Sequence, residues 1–164
     1  MRAAAARTLD GLDALARVAV ALAMGGMVTV VTAQVVLRYV FNDSIDWAEE
    51  SARLLFVCAM FLAIPLGVRG GVHIGVNLLV NALPASLQRG LHRFTALLGL
   101  GLMAVVAWQA AVLMPEQWDE LLPTLPLSVG WLLVPVFVGT VHSALHLANI
   151  AVTGPAPDLG LSAE

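Results

Sequence analysis

Lysine is absent from this 164-residue chain, charged residues make up only 12% of it, and there is one cysteine, Cys58. Ordinary soluble domains carry about 25% charged residues, so this chain cannot cover a water-facing surface in the usual way. A lone cysteine excludes an intramolecular disulfide framework and a paired-thiol redox centre. Set in an apolar run, Cys58 reads as a small packed hydrophobe. Eight arginines against eleven acidic residues leave a formal net charge of −3. With no basic block, that composition argues against a nucleic-acid partner. What is abundant is apolar: 60% of the residues are hydrophobic and the mean hydropathy is +0.90. A soluble fold of this size keeps too much surface to hide that content. The composition argues against a soluble enzyme and for lipid as the solvent.

A bilayer core takes about 20 mainly apolar residues per helix. Four stretches qualify, over residues 15–37, 52–68, 94–114 and 127–150. The expected fold is therefore an all-α integral membrane domain over residues 1–152, with four transmembrane helices and a disordered tail over 153–164. Within the first span, Val31-Thr32-Ala33 resembles a signal-peptide cleavage site, but the apolar run continues through Gln34 to Leu37, as a retained anchor would. Pro65 predicts a bend near the end of the second span. Arginine placement gives the orientation. Arg2, Arg7, Arg17, Arg69, Arg89 and Arg93 flank one side of the membrane, and only Arg38 and Arg53 flank the other. Positive-inside logic then predicts cytoplasmic termini and two acidic outer loops.

Two connections carry patterned polar residues. Before the second span, Asp46 and Glu49 have capping-box spacing, and Arg53 lies within ion-pair reach of Glu49 and Glu50. Trp47 suits headgroup depth. After that span, His73, Asn77 and Asn81 recur every four residues opposite Val72, Val76 and Leu83, which predicts an interfacial amphipathic helix ending at Pro84. Gly67, Gly71 and Gly75 have small-xxx-small spacing, fit for close helix approach; a flexible glycine-rich exit from the span fits the same residues.

His142 and His146 lie four apart on the last span and share a face, a spacing that could ligate a metal or haem. No acidic or cysteine ligand lies on that helix to complete a site, so both read as interfacial or helix-contact histidines. No charged residue falls at a span centre, where substrate pathways usually have one. No catalytic, cofactor or metal site is expected. The pattern is that of a subunit of something larger.

The chain resembles the DctQ-type small membrane subunit of tripartite ATP-independent periplasmic (TRAP) transporters over roughly residues 12–150. Trp47-Ala48-Glu49-Glu50-Ser51-Ala52-Arg53 matches the family's W-x-E-E-x-x-R, and the run from Arg69 to Asn77 resembles R-x-G-x-H-I-x-V-D. Trp131 followed by Pro135 is the third shared feature. Asn77 replaces the family's usual acid, and Ala63-Ile64-Pro65 replaces a common Gly-Ala pair. The resemblance implies a bacterial inner-membrane scaffold for a large permease subunit. A periplasmic binding protein would deliver an organic acid, typically a carboxylate, for ion-gradient-driven symport. On that reading Trp47, Glu49, Glu50 and Arg53 organise the outer end of the second helix, and Arg69 and His73 anchor its inner end. The competing readings are a four-helix haem or metal protein using His142 and His146, an accessory subunit of another membrane complex, and a small autonomous exporter, which would need an intramembrane ionisable residue.

Overall fold

A computed structural model describes residues 2–69 and 85–153. Its helices are α1 (Arg2–Val40), α2 (Ala48–Arg69), α3 (Ala85–Glu116) and α4 (Leu133–Thr153), with a 3-10 turn, Val129–Leu132, leading into α4. All four spans are long and apolar enough to cross a membrane. At about 1.5 Å per residue, α2 and α4 match a hydrocarbon core of about 30 Å. Helix α1, with 39 residues, and α3, with 32, overhang it. Both therefore start well before the apolar stretches that marked them in sequence, because hydropathy registers only the lipid-facing part of a helix. The expected interfacial helix, with His73, Gly71 and Gly75, and the tail beyond Thr153 lie outside the described residues.

Helix α2 packs on α1 and on α4, and α4 packs on α3. The helices thus stand in the order α1, α2, α4, α3, an open row with α4 the most buried span. On α1 Ala19 and Gly26 are shielded beside a continuous seam of Leu9, Asp13, Ala16, Val20, Ala23, Met27, Val30, Gln34 and Leu37. The seam residues alternate steps of three and four, the pattern by which one helix meets a neighbour. The opposite face is bare, with Leu15, Val18 and Leu22 all more than half exposed. Lipid is as apolar as these side chains, so helix association rests on close packing and polar contacts.

One close approach sets the α2–α4 spacing. A Cβ built on Gly139 of α4 would lie 2.2 Å from the carbonyl oxygen of Phe61 on α2. Proline has no N–H, so Pro65 denies its usual partner to the carbonyl four residues earlier, that of Phe61. From sequence, Pro65 is expected to bend the end of α2; the helix runs on to Arg69, and the carbonyl that Pro65 deprives of a partner faces Gly139. The Gly139 hydrogen in the Cβ direction faces that oxygen, a weak C–H···O contact. Gly67, by contrast, meets no neighbour within 4 Å among the described residues.

Connections are short where helices must stay adjacent. Asn42, at φ 52°, turns the chain out of α1, and the Asp43 N–H donates back to the Leu37 carbonyl at 3.1 Å. Asparagine tolerates this left-handed conformation better than most residues.

Candidate functional site

Polar side chains gather near the two opposite ends of the helices. At one end, the start of α2 meets the loop between α3 and α4. Glu50 is buried, and its Oε2 accepts three hydrogen bonds: from the Thr124 N–H (3.0 Å), the Thr124 hydroxyl (2.6 Å) and the Leu125 N–H (2.9 Å). Three donors converging on one oxygen suit an ionised carboxylate. The loop is pre-shaped to offer them. The Leu122 N–H donates to the Leu127 carbonyl and the Val129 N–H to the Glu120 carbonyl, both at 2.8 Å. Ser128 donates its hydroxyl proton to the Gln117 carbonyl and accepts from the Gly130 N–H, each at 3.0 Å, capping the 3-10 turn. Trp118 and Trp131 close the loop's flank, with ring centroids 5.7 Å apart. Gly130 is required there, since a Cβ would lie 2.7 Å from the Trp118 ring. Pro135 is buried in the first turn of α4, where a missing N–H costs nothing.

The four residues singled out before the second span thus divide. Glu50 reaches across to the loop. Glu49 and Arg53 form an exposed pair at 3.7 Å, of the kind that contributes little to stability. Trp47 is half-exposed. Helix α2 begins at Ala48, and the Trp47 carbonyl accepts from the Ser51 N–H at 3.0 Å, so Trp47 and not Asp46 stands at its entry. The expected capping box is thus displaced by one residue from the observed helix start, and the acid three beyond Trp47, Glu50, is the one drawn inward.

At the other end, the start of α1, the end of α2 and the second half of α4 converge. Asp13 is 1% exposed and lies between Arg69 of α2 and two histidines of α4. Its Oδ2 accepts from Arg69 Nη1. Its Oδ1 lies 2.8 Å from His146 Nε2 and 3.0 Å from His142 Nε2. Arg69 also bonds Asp10 Oδ1 at 2.5 Å. The imidazoles tilt together, with centroids 5.0 Å apart. The His146 contact has hydrogen-bond geometry, whereas His142 Nε2 is buried without a hydrogen-bond partner.

Arg69 thus anchors the end of α2 through Asp10 and Asp13, two residues that sequence reasoning missed. The acid absent from the histidines' own helix comes from α1. A sequence signal existed: Asp13 occupies a position on the buried seam of α1 that is otherwise almost wholly apolar, where an unpartnered carboxylate would be costly.

Chemically, the Glu50 cluster is a mechanical latch with every donor matched. The Asp13 cluster binds charge, and it ties three helices together at one membrane face. Among the described residues, the central apolar stretches of the four helices carry no Asp, Glu or Arg.

Residues 27–154 match the family model described as "Tripartite ATP-independent periplasmic transporters, DctQ component". No curated protein matches the chain. The matched region takes in Glu50, Arg69, Thr124, His142 and His146; Asp10 and Asp13 precede it.

Proposed function

The chain belongs to the DctQ component family of tripartite ATP-independent periplasmic transporters, and from that premise we propose that it scaffolds a large permease subunit in the bacterial inner membrane. It is a multi-pass membrane protein and the small subunit of such a transporter. The transported compound is an organic acid, most simply a carboxylate, delivered by a periplasmic binding protein and driven in by an ion gradient. Both termini face the cytoplasm, as the arginine distribution favours. The Glu50 latch then faces the periplasm and the Asp13 cluster the cytoplasm.

The observation that carries the scaffold reading is the open row. Helices α1 and α3 each keep a full apolar face uncovered, from Leu22 on α1 to Leu98, Leu102 and Val105 on α3. Among the described residues, no Asp, Glu or Arg lies within 18–37, 54–68, 94–115 or 129–153, so no charged side chain stands at mid-span to meet a substrate. A shallow groove on α1, lined by Val28, Thr29, Thr32, Ala33, Val36 and Leu37, offers small residues to a partner helix. Trp47, Arg53 and the open face at Gly67 belong to the same docking role, as do His73, Gly71 and Gly75.

Affinity purification of the full chain from native membranes in mild detergent tests this. A much larger polytopic subunit should be recovered with it, and reconstituted uptake of an organic acid should need both chains. Thr32→Trp, in the α1 groove, should lose the large subunit while the purified chain stays folded. Recovery of the chain alone under all mild conditions, with uptake unaffected by its deletion, would overturn the scaffold reading.

A further inference from the structure

We propose that Asp13, His142 and His146 form a binding site for a divalent transition-metal cation of the zinc class, clipping α1 to α4. This site is independent of the scaffold role.

Three observations converge on it. First, the donor set is right. Two imidazole nitrogens and one carboxylate oxygen all lie within 4.8 Å of one another, and all three residues are buried. Nitrogen and oxygen donors in this mix suit zinc and its late first-row neighbours, whereas calcium and magnesium need more oxygens. Second, the apo arrangement is incomplete. Asp13 Oδ1 faces two Nε2 atoms but makes a hydrogen bond with only one. His142, 7% exposed, turns its unpartnered Nε2 towards Asp13. A cation between the three atoms satisfies all of them at once. Third, charge favours it. Among the described residues, two carboxylates, the buried Asp13 and the exposed Asp10, share the single cation Arg69, so a further positive charge is not opposed.

A bound ion would draw the three ligand atoms, now all within 4.8 Å of one another, to one common spacing. Bonds of about 2.0–2.1 Å in a tetrahedral site put ligand atoms about 3.3 Å apart. The nitrogens lie 2.8 and 3.0 Å from Asp13 Oδ1, so that oxygen withdraws by a few tenths of an ångström. Arg69 holds the other carboxylate oxygen, the outer-shell support that orients a ligating acid. A water completes the fourth position. The cluster lies where α1 overhangs and α2 ends, so an ion arrives from the aqueous side without crossing hydrocarbon. A proton shared between the imidazoles and Asp13 is the competing occupant.

The test uses the full chain in mild detergent, stripped with a chelator, desalted, and titrated with Zn²⁺ and separately with Co²⁺. One zinc per chain should bind, Co²⁺ should give the intense visible bands of a tetrahedral N/O site, and zinc should raise the melting temperature. His142→Gln and His146→Gln should each weaken zinc binding by more than the roughly 10–100-fold that loss of an outer-shell contact costs. His92→Gln, on α3, should leave it unchanged. No stoichiometric zinc and no cobalt bands in the wild-type chain would overturn the site and leave a proton as its occupant. Unaltered zinc binding in folded His142→Gln and His146→Gln would overturn it equally. Should the variants fail to fold, the wild-type cobalt spectrum decides alone.

Discussion

Replacing Gly139 by alanine tests what sets the spacing of the row. The added methyl would lie 2.2 Å from the Phe61 carbonyl oxygen and 3.2 Å from the Phe61 Cβ. Real Cβ atoms essentially never come within 3.0 Å of a neighbour. Helices α2 and α4 must therefore part by most of an ångström. Overpacking of this kind costs about 1–3 kcal/mol, roughly one to two decades in the folded-to-unfolded ratio. Because the obstacle is backbone, truncating the side chain cannot relieve it, and Phe61→Ala/Gly139→Ala should be no more stable than Gly139→Ala. Pro65→Ala should relieve it in part, since an N–H at that position draws the Phe61 carbonyl back into the helix ladder. The assay is unfolding of the purified chain in mild detergent, followed by circular dichroism. Equal stability of Gly139→Ala and wild type, or full rescue by Phe61→Ala, would refute the account.

Glu50→Ala should speed amide exchange at Thr124 and Leu125, measured by hydrogen–deuterium exchange, whereas Glu50→Gln, which keeps one acceptor oxygen, should do so less. Arg69→Gln should destabilise the chain by about 1–3 kcal/mol in the same unfolding assay; this is below the cost of breaking a dry ion pair, because the Arg69 side chain is 47% exposed. Arg53→Ala should change stability by less than about 1 kcal/mol, as expected of an exposed pair, yet weaken recovery of the large subunit on affinity purification if Arg53 serves docking. Loss of stability comparable to that of Arg69→Gln would instead give Arg53 a structural role.

The four spans were legible in sequence because a bilayer imposes one requirement, a long apolar run, that composition satisfies or fails locally. The motif around Glu50 was legible as a motif, but its partner was not. Thr124 and Leu125 lie more than seventy residues away, and their N–H groups are backbone atoms that no side-chain pattern reveals. Spacing along a helix suggested Arg53 as the natural mate of both acids. The Glu49–Arg53 pair follows from that local spacing, but only the tertiary structure sends Glu50 to the loop. The same limit hid the Asp13 cluster. His142 and His146 announced a shared face by their spacing, and Arg69 announced a helix end, but a carboxylate from a helix more than a hundred residues earlier completes them. Sequence by itself determined the solvent, the number of spans and the family, since these follow from hydropathy and local motif. The order of helices in the row, the glycine at their closest approach and the partners of each buried charge were decided by packing, which brings distant residues within bonding distance.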